Sequence, residues 1–174
     1  SGGAINLTGG STLFVSSDSN NRLSGVTVNG NIDLSASGAL LRLAGVVTLN
    51  GTVSLSGDNA RLVSEGNATV NTTGGGEIIF VGSSGNRRQL GYVGNSTLTL
   101  GPGLLVHGGF ADIGNAQIQG GTFSLTNSGT IRADVSGQSV TLVGAINPLI
   151  NLGTLAASNA ATLTVNTAPS ISAH

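Results

Sequence analysis

A tripeptide recurs at a fixed interval: Thr27-Val28-Asn29, then Thr48-Leu49-Asn50, then Thr69-Val70-Asn71, each 21 residues after the last (48 − 27 and 69 − 48). Self-similarity at such a period marks a repeat architecture, in which no single unit buries its apolar face alone. The segments that follow repeat as well. Asn29-Gly30-Asn31-Ile32-Asp33-Leu34 matches Asn50-Gly51-Thr52-Val53-Ser54-Leu55, and Leu41-Arg42-Leu43 matches Ala60-Arg61-Leu62. One unit thus carries three short alternating segments separated by Asn, Gly and Ser. Alternation at period two places Val26, Val28, Ile32, Leu34, Leu41 and Leu43 inward, with Thr27, Asp33 and Arg42 outward. The segments are too short for helices. The expected fold is all-β: a right-handed parallel β-helix (β-solenoid) of about seven coils, roughly 21 residues each, with three short strands per coil.

The pattern loosens further along but continues. Thr97-Leu98-Thr99-Leu100, Ala116-Gln117-Ile118, Ser139-Val140-Thr141-Leu142 and Thr162-Leu163-Thr164-Val165 are read as openings of successive coils. Ser128-Gly129-Thr130-Ile131-Arg132-Ala133 echoes Leu152-Gly153-Thr154-Leu155-Ala156-Ala157. Seven coils at the strand spacing give a rod of roughly 30–35 Å. Residues 1–166 read as one solenoid domain and 167–174 as a linker or tail. The third coil, which begins at Thr69, is longer than its neighbours. It contains Gly74-Gly75-Gly76 and Ser83-Ser84-Gly85-Asn86-Arg87-Arg88-Gln89, and such insertions emerge from solenoids as surface loops.

Composition removes several function classes. Charged residues are 7% of the chain, against about 25% in ordinary globular domains. Lysine is absent, the net charge is −1, and the basic residues are Arg22, Arg42, Arg61, Arg87, Arg88 and Arg132. No basic stripe can neutralise a row of phosphates, so nucleic acid is not an expected partner. No apolar run approaches the roughly 18 residues of a membrane helix, and membrane insertion is not expected. Cysteine is absent, which removes disulfides and cysteine-based metal or redox sites.

Candidate chemistry is sparse. Seven carboxylates are scattered one or two per coil, and acid–base work needs two positioned ionisable groups. Asp112 lies five residues from His107, but no Gly-x-Ser-x-Gly elbow accompanies them. His107 reads as a surface turn residue. No calcium nonapeptide or phosphate loop is present. No enzyme activity, metal or cofactor is therefore expected. Arg87, Arg88 and Tyr92 in the inserted loop are the candidate ligand-binding residues, because paired arginines beside an aromatic suit carboxylates or sugars. Asn29, Asn50 and Asn71 are expected to stack as a structural asparagine ladder. Arg42 and Arg61 are expected to stack on one outer face, with Asp58 and Glu65 offsetting their repulsion. Thr27, Thr48 and Thr69 align in a single file, without the two-column face that binding to ice would use.

The runs Asn127-Ser-Gly-Thr-Ile-Arg-Ala-Asp134, Gly153-Thr-Leu-Ala-Ala-Ser-Asn159 and Thr162-Leu-Thr-Val165 resemble repeats of bacterial autotransporter passengers and filamentous-haemagglutinin-type secreted proteins. That resemblance implies export, a secreted or cell-surface location, and a role as an adhesin shaft or display scaffold. It carries over no functional residue. The expected function is thus a non-catalytic structural repeat segment. The alternatives are a self-assembling fibre subunit and a carbohydrate-binding module using the loop around Arg87 to Tyr92. The expected partners are a host surface or glycan, and other copies of the chain end to end.

Overall fold

A computed structural model describes residues 2–166, with backbone alone for 116–118. The tail expected at 167–174 lies outside the described residues. The described chain is strand and turn with no helix, and it winds through seven coils, as the repeat predicts. β1 (Gly3–Asn6), β2 (Thr12–Phe14) and β3 (Arg22–Ser24) make the first coil. The second holds β4 (Val26–Asn29), β5 (Asn31–Leu34) and the first half of β6 (Leu40–Leu49). The third holds the rest of β6, β7 (Thr52–Leu55) and the start of β8 (Arg61–Asn71). The fourth holds the end of β8, β9 (Glu77–Phe80) and the start of β10 (Arg88–Leu100). The fifth holds the end of β10, β11 (Leu105–Gly108) and β12 (Ala111–Ile118). The sixth is β13 (Phe123–Asn127), β14 (Thr130–Ala133) and β15 (Ser139–Leu142). The seventh is β16 (Ile146–Asn151), β17 (Thr154–Ala157) and β18 (Thr162–Val165).

Each coil contributes one strand segment to each of three faces. Face A begins with β1 and β4 and ends with β13 and β16. Face B is a seven-stranded sheet, β2-β5-β7-β9-β11-β14-β17 in spatial order. Face C begins with β3 and ends with β12, β15 and β18. The pairings are parallel. Faces A and C belong to one hydrogen-bonded sheet, because β6, β8 and β10 bend round the corner without breaking. Glycine makes that corner. Gly25, Gly45, Gly66 and Gly94 have φ of +59°, +59°, +62° and +59°, a left-handed turn that costs a side-chain-bearing residue about 1–2 kcal/mol.

The interior is a set of aliphatic columns. Leu41, Leu62, Leu90, Ile113, Leu142 and Val165 follow one another along face C. Ile32, Val53, Ile78, Val106, Ile131 and Leu155 do so along face B. A neighbouring column runs Leu34, Leu55, Phe80, Gly108, Ala133 and Ala157. There the size falls from Phe80 to nothing at Gly108, whose φ is +119° and whose missing Cβ would strike the Phe80 backbone. Of the positions expected inward, Val28, Ile32, Leu34, Leu41 and Leu43 are buried, and Val26 is half-buried against the core.

Several register expectations are corrected. In β8 the pairing offset grows from 21 residues (Leu43 to Ser64) to 23 (Gly45 to Ala68). The slip falls at Glu65-Gly66-Asn67. Thr69 therefore opposes Val46, and Thr48 opposes Asn71, so the Thr file stops at Thr27 and Thr48. On face A Thr69 is followed by Thr99 and Thr126, and beside them Asn67 by Thr97 and Ser124, so a short two-column polar array does exist. Arg61 opposes Leu40 rather than Arg42, because Leu41 pairs with Leu62. Of the expected coil openings, Thr97–Leu100 continues face A, but 116–118, 139–142 and 162–165 lie on face C. The inserted loop sits in the fourth coil, since residues 3–24 already form a coil without the tripeptide.

Phe80 fills the widest part of its column. Phe80→Ala should cost about 3–5 kcal/mol of unfolding free energy, read by urea titration. Ser37→Ala in an exposed turn should change it by under about 0.5 kcal/mol.

Candidate functional site

The inserted loop is tied down by the coil before it. The Asn86 backbone amide donates to Asp58 Oδ1 at 2.6 Å, and Asn86 Nδ2 donates to Asp58 Oδ2 at 2.9 Å. These two bonds, side chain first, hold the Asp58 carboxyl below its ordinary value of 3.8, with Arg88 adding a smaller attraction against a slight desolvation. Arg88 is buried. Its Nη1 donates to the Ser84 and Asn86 carbonyls at 3.2 and 3.0 Å, and its Nη2 to the Ser56 carbonyl at 2.6 Å. Gly82 leaves the room for that guanidinium.

Arg87 reaches the other way. Its Nε donates to Asp112 Oδ1 at 2.6 Å, and its Nη2 to the carbonyls of Ala111 at 2.6 Å and Ser139 at 2.8 Å. The guanidinium carbon also lies 5.2 Å from the centre of the Phe110 ring. Arg87 therefore links the fourth, fifth and sixth coils. Tyr92 is not in the loop but within β10, buried in the core. Its ring stacks on Phe123 with centroids 4.8 Å apart and planes 4° from parallel. Its hydroxyl donates to the Gly121 carbonyl at 3.4 Å. The three candidate binding residues thus do not converge on an open surface: two are inside the fold, and the third is held by four residues of the protein.

The asparagine ladder forms one step earlier than expected. Asn29 Nδ2 donates to Asn6 Oδ1 at 2.7 Å, and Asn50 Nδ2 to Asn29 Oδ1 at 2.9 Å. Asn71 does not continue it. Asn50 Oδ1 instead accepts from the Thr73 amide and hydroxyl, both at 3.0 Å. The cause is the two-residue slip in β8, which moves Asn71 opposite Thr48. A second pair forms inside the fold, where fully buried Asn127 donates from Nδ2 to Asn151 Oδ1 at 2.8 Å.

The densest group of titratable side chains lies on the outer side of face B. His107 sits between two carboxylates. Its Nδ1 is 2.7 Å from Asp134 Oδ2, and its Nε2 is hydrogen-bonded to Glu77 Oε1. Arg132 donates to the same Asp134 oxygen from Nε at 3.0 Å, with Nη2 at 2.9 Å. Thr52 Oγ1 donates to Glu77 Oε2 at 3.2 Å. The cluster joins the third, fourth, fifth and sixth coils. The turn-surface reading of His107 is corrected: it lies within β11, and its side chain is only 13% exposed. A fixed 21-residue period cannot align these residues, which are 30 and 27 positions apart (107 − 77 and 134 − 107).

Chemically this is a brace. Both ring nitrogens of His107 are hydrogen-bonded to carboxylates carried by the neighbouring coils. Asp112 belongs to face C and pairs with Arg87. Among the described residues, no group of three or more His, Asp or Glu side chains is arranged to hold a metal ion. No protein-family model matches the chain, and neither a curated protein nor a solved structure matches it.

Two outcomes follow for the braces. His107→Ala removes bonds to two coils and leaves Glu77 with Thr52, and Asp134 with Arg132, as the remaining side-chain partners named above, so unfolding free energy should fall by about 1–3 kcal/mol, read by urea titration. Asp58 is depressed in the folded state, so its contribution is present above pH 3.8 and is lost as pH falls through the lower folded value. The Asn86 amide resonance should therefore shift on acidification below pH 3.8, and Asp58→Asn should abolish that shift.

Proposed function

We propose that the chain is a non-catalytic structural segment of a secreted or cell-surface protein, serving as an adhesin shaft or display scaffold. One observation carries this reading. Among the described residues the coils stack from residue 3 to residue 165 without an intervening helix, and the ionic cluster around His107 and the Arg87–Asp112 pair join successive coils. A parallel solenoid of that kind is a stiff spacer, because each coil is hydrogen-bonded to the next along its length. The repeat texture shared with autotransporter-type exoproteins supports the same location and role.

Assembly into fibres is the second reading, and the first coil favours it. Phe14 is 60% exposed there, beside a depression of about 220 Å³ lined by Ile5, Leu13, Leu23 and Leu41. At the seventh coil Val165 is also exposed. Among the described residues, the strands of the first and seventh coils pair on one side only, and such edges accept a further strand. The carbohydrate-binding reading based on Arg87, Arg88 and Tyr92 gains no support from their placement.

An antibody raised against the folded segment should label intact cells of the source organism. Labelling that appears only after lysis would contradict the surface role. Sedimentation over a hundredfold range of concentration separates the second reading: a mass that climbs with concentration supports fibres, and a constant monomer mass rejects them.

A further inference from the structure

Three of the six arginines, Arg22, Arg42 and Arg61, lie on the outer side of face C in the first three coils. Register sets their spacing. Arg22 opposes Arg42, and Arg61 opposes Leu40, two residues before Arg42. Directly opposed residues are about 4.8 Å apart and a diagonal pair roughly 8 Å. Like charges so placed repel. One carboxylate offsets them: Glu65 is 3.0 Å from Arg22 and 3.9 Å from Arg42. Among the described residues Arg61 has no ion-pair partner, and its guanidinium makes one long bond, from Nη2 to the Gly38 carbonyl at 3.4 Å. The patch therefore carries +2 (three arginines, one glutamate) on a chain whose net charge is −1.

A second observation shows how these side chains are held. Leu40 and Val63 occupy outward positions of the same face yet are 1% and 0% exposed. Arg61 stands directly opposite Leu40 and Arg42 directly opposite Val63, so the apolar arginine stems lie beside these two side chains. Arg42 Nε, Arg61 Nε and Gln89 Oε1 are buried with no hydrogen-bond partner. Both guanidinium groups are thus enclosed at the base, with their tips outward. A preordered fork loses little freedom when an anion binds it.

We propose that Arg42 and Arg61, with Gln89 opposite Arg61, form a binding site for an acidic polysaccharide, whose carboxylate or sulfate groups bond to the guanidinium tips. The site is an open sheet face, where a single small anion is screened and held weakly. Two arginines on successive coils, set diagonally, suit anionic groups repeated along a polymer. Glu65 lies beside Arg42 at the edge of the patch, and Arg61 is left to meet an anionic group of the chain without a competing carboxylate of the described residues. This site stands whether or not the solenoid serves as a shaft.

The test is electrophoresis of the folded chain through gels containing polygalacturonate, dextran sulfate or neutral dextran. Retardation by an acidic polymer and not by neutral dextran is expected, and the polymer that retards more tells carboxylate from sulfate. Arg42→Gln and Arg61→Gln should each weaken binding about tenfold, the loss of one charge-assisted bond. Arg61→Lys should keep part of the affinity, and Gln89→Glu should lower it. Arg132→Gln, the same charge change on face B, should alter it less than about twofold. Circular dichroism confirms folding of each variant, and the Gln89 and Lys variants carry the test if a Gln variant unfolds. No retardation by either acidic polymer, equal retardation by neutral dextran, an equal loss in Arg132→Gln, or stronger binding to phosphatidylserine vesicles would overturn the proposal.

Discussion

Parallel hydrogen bonding between successive coils is the constraint from which the rest of this structure follows. It places each residue directly over its counterpart, about 4.8 Å away, and so multiplies every side-chain choice by the number of coils. An apolar residue becomes a column and an outward charge becomes a row of like charges. A chain that folds this way is driven towards aliphatic interiors and hydroxyl-rich exteriors. The scarcity of charge, 7% of residues, and the Thr and Ser on the outer faces are consequences of that geometry.

Where charged and titratable groups do occur, they brace neighbouring coils. Glu77, His107 and Asp134 follow one another across three coils, each carboxylate hydrogen-bonded to one nitrogen of the ring between them. Arg87 crosses three coils to Asp112 and Ser139. Asn6, Asn29 and Asn50 achieve the same joining without charge, each amide donating to the one before. Arg22 and Arg42 break the pattern, since they stand directly opposed and share one glutamate. That departure is why face C, rather than the inserted loop, is the surface on which a ligand is sought.

The fold was legible because two signals agreed: a fixed interval in the first half of the chain and period-two alternation within each segment. Register in the first coils was readable from Thr27 over Thr48 and Ile32 over Val53. It stopped being readable at Glu65-Gly66-Asn67, where a glycine corner admits extra residues without disturbing either strand. Each such insertion is silent in the alternation yet shifts every later assignment. Tyr92 shows the same blindness in three dimensions. Its neighbours Arg87 and Arg88 suggested a polar loop, but its partner Phe123 is 31 residues on (123 − 92) and gives no local sign. The brace around His107 was missed for a related reason, since its members sit at unequal intervals created by the insertion.

Register can be read directly by disulfide capture, because the chain has no cysteine of its own. Val46→Cys with Thr69→Cys, and Thr69→Cys with Thr99→Cys, place thiols on directly opposed residues, within the Cα separation of about 4.4–6.8 Å that a disulfide spans. Both pairs should close under mild oxidation. Thr48→Cys with Thr69→Cys, a diagonal pair roughly 8 Å apart, should stay open. Closure of the Thr48 pair with the other two remaining reduced would contradict the in-register stack described above.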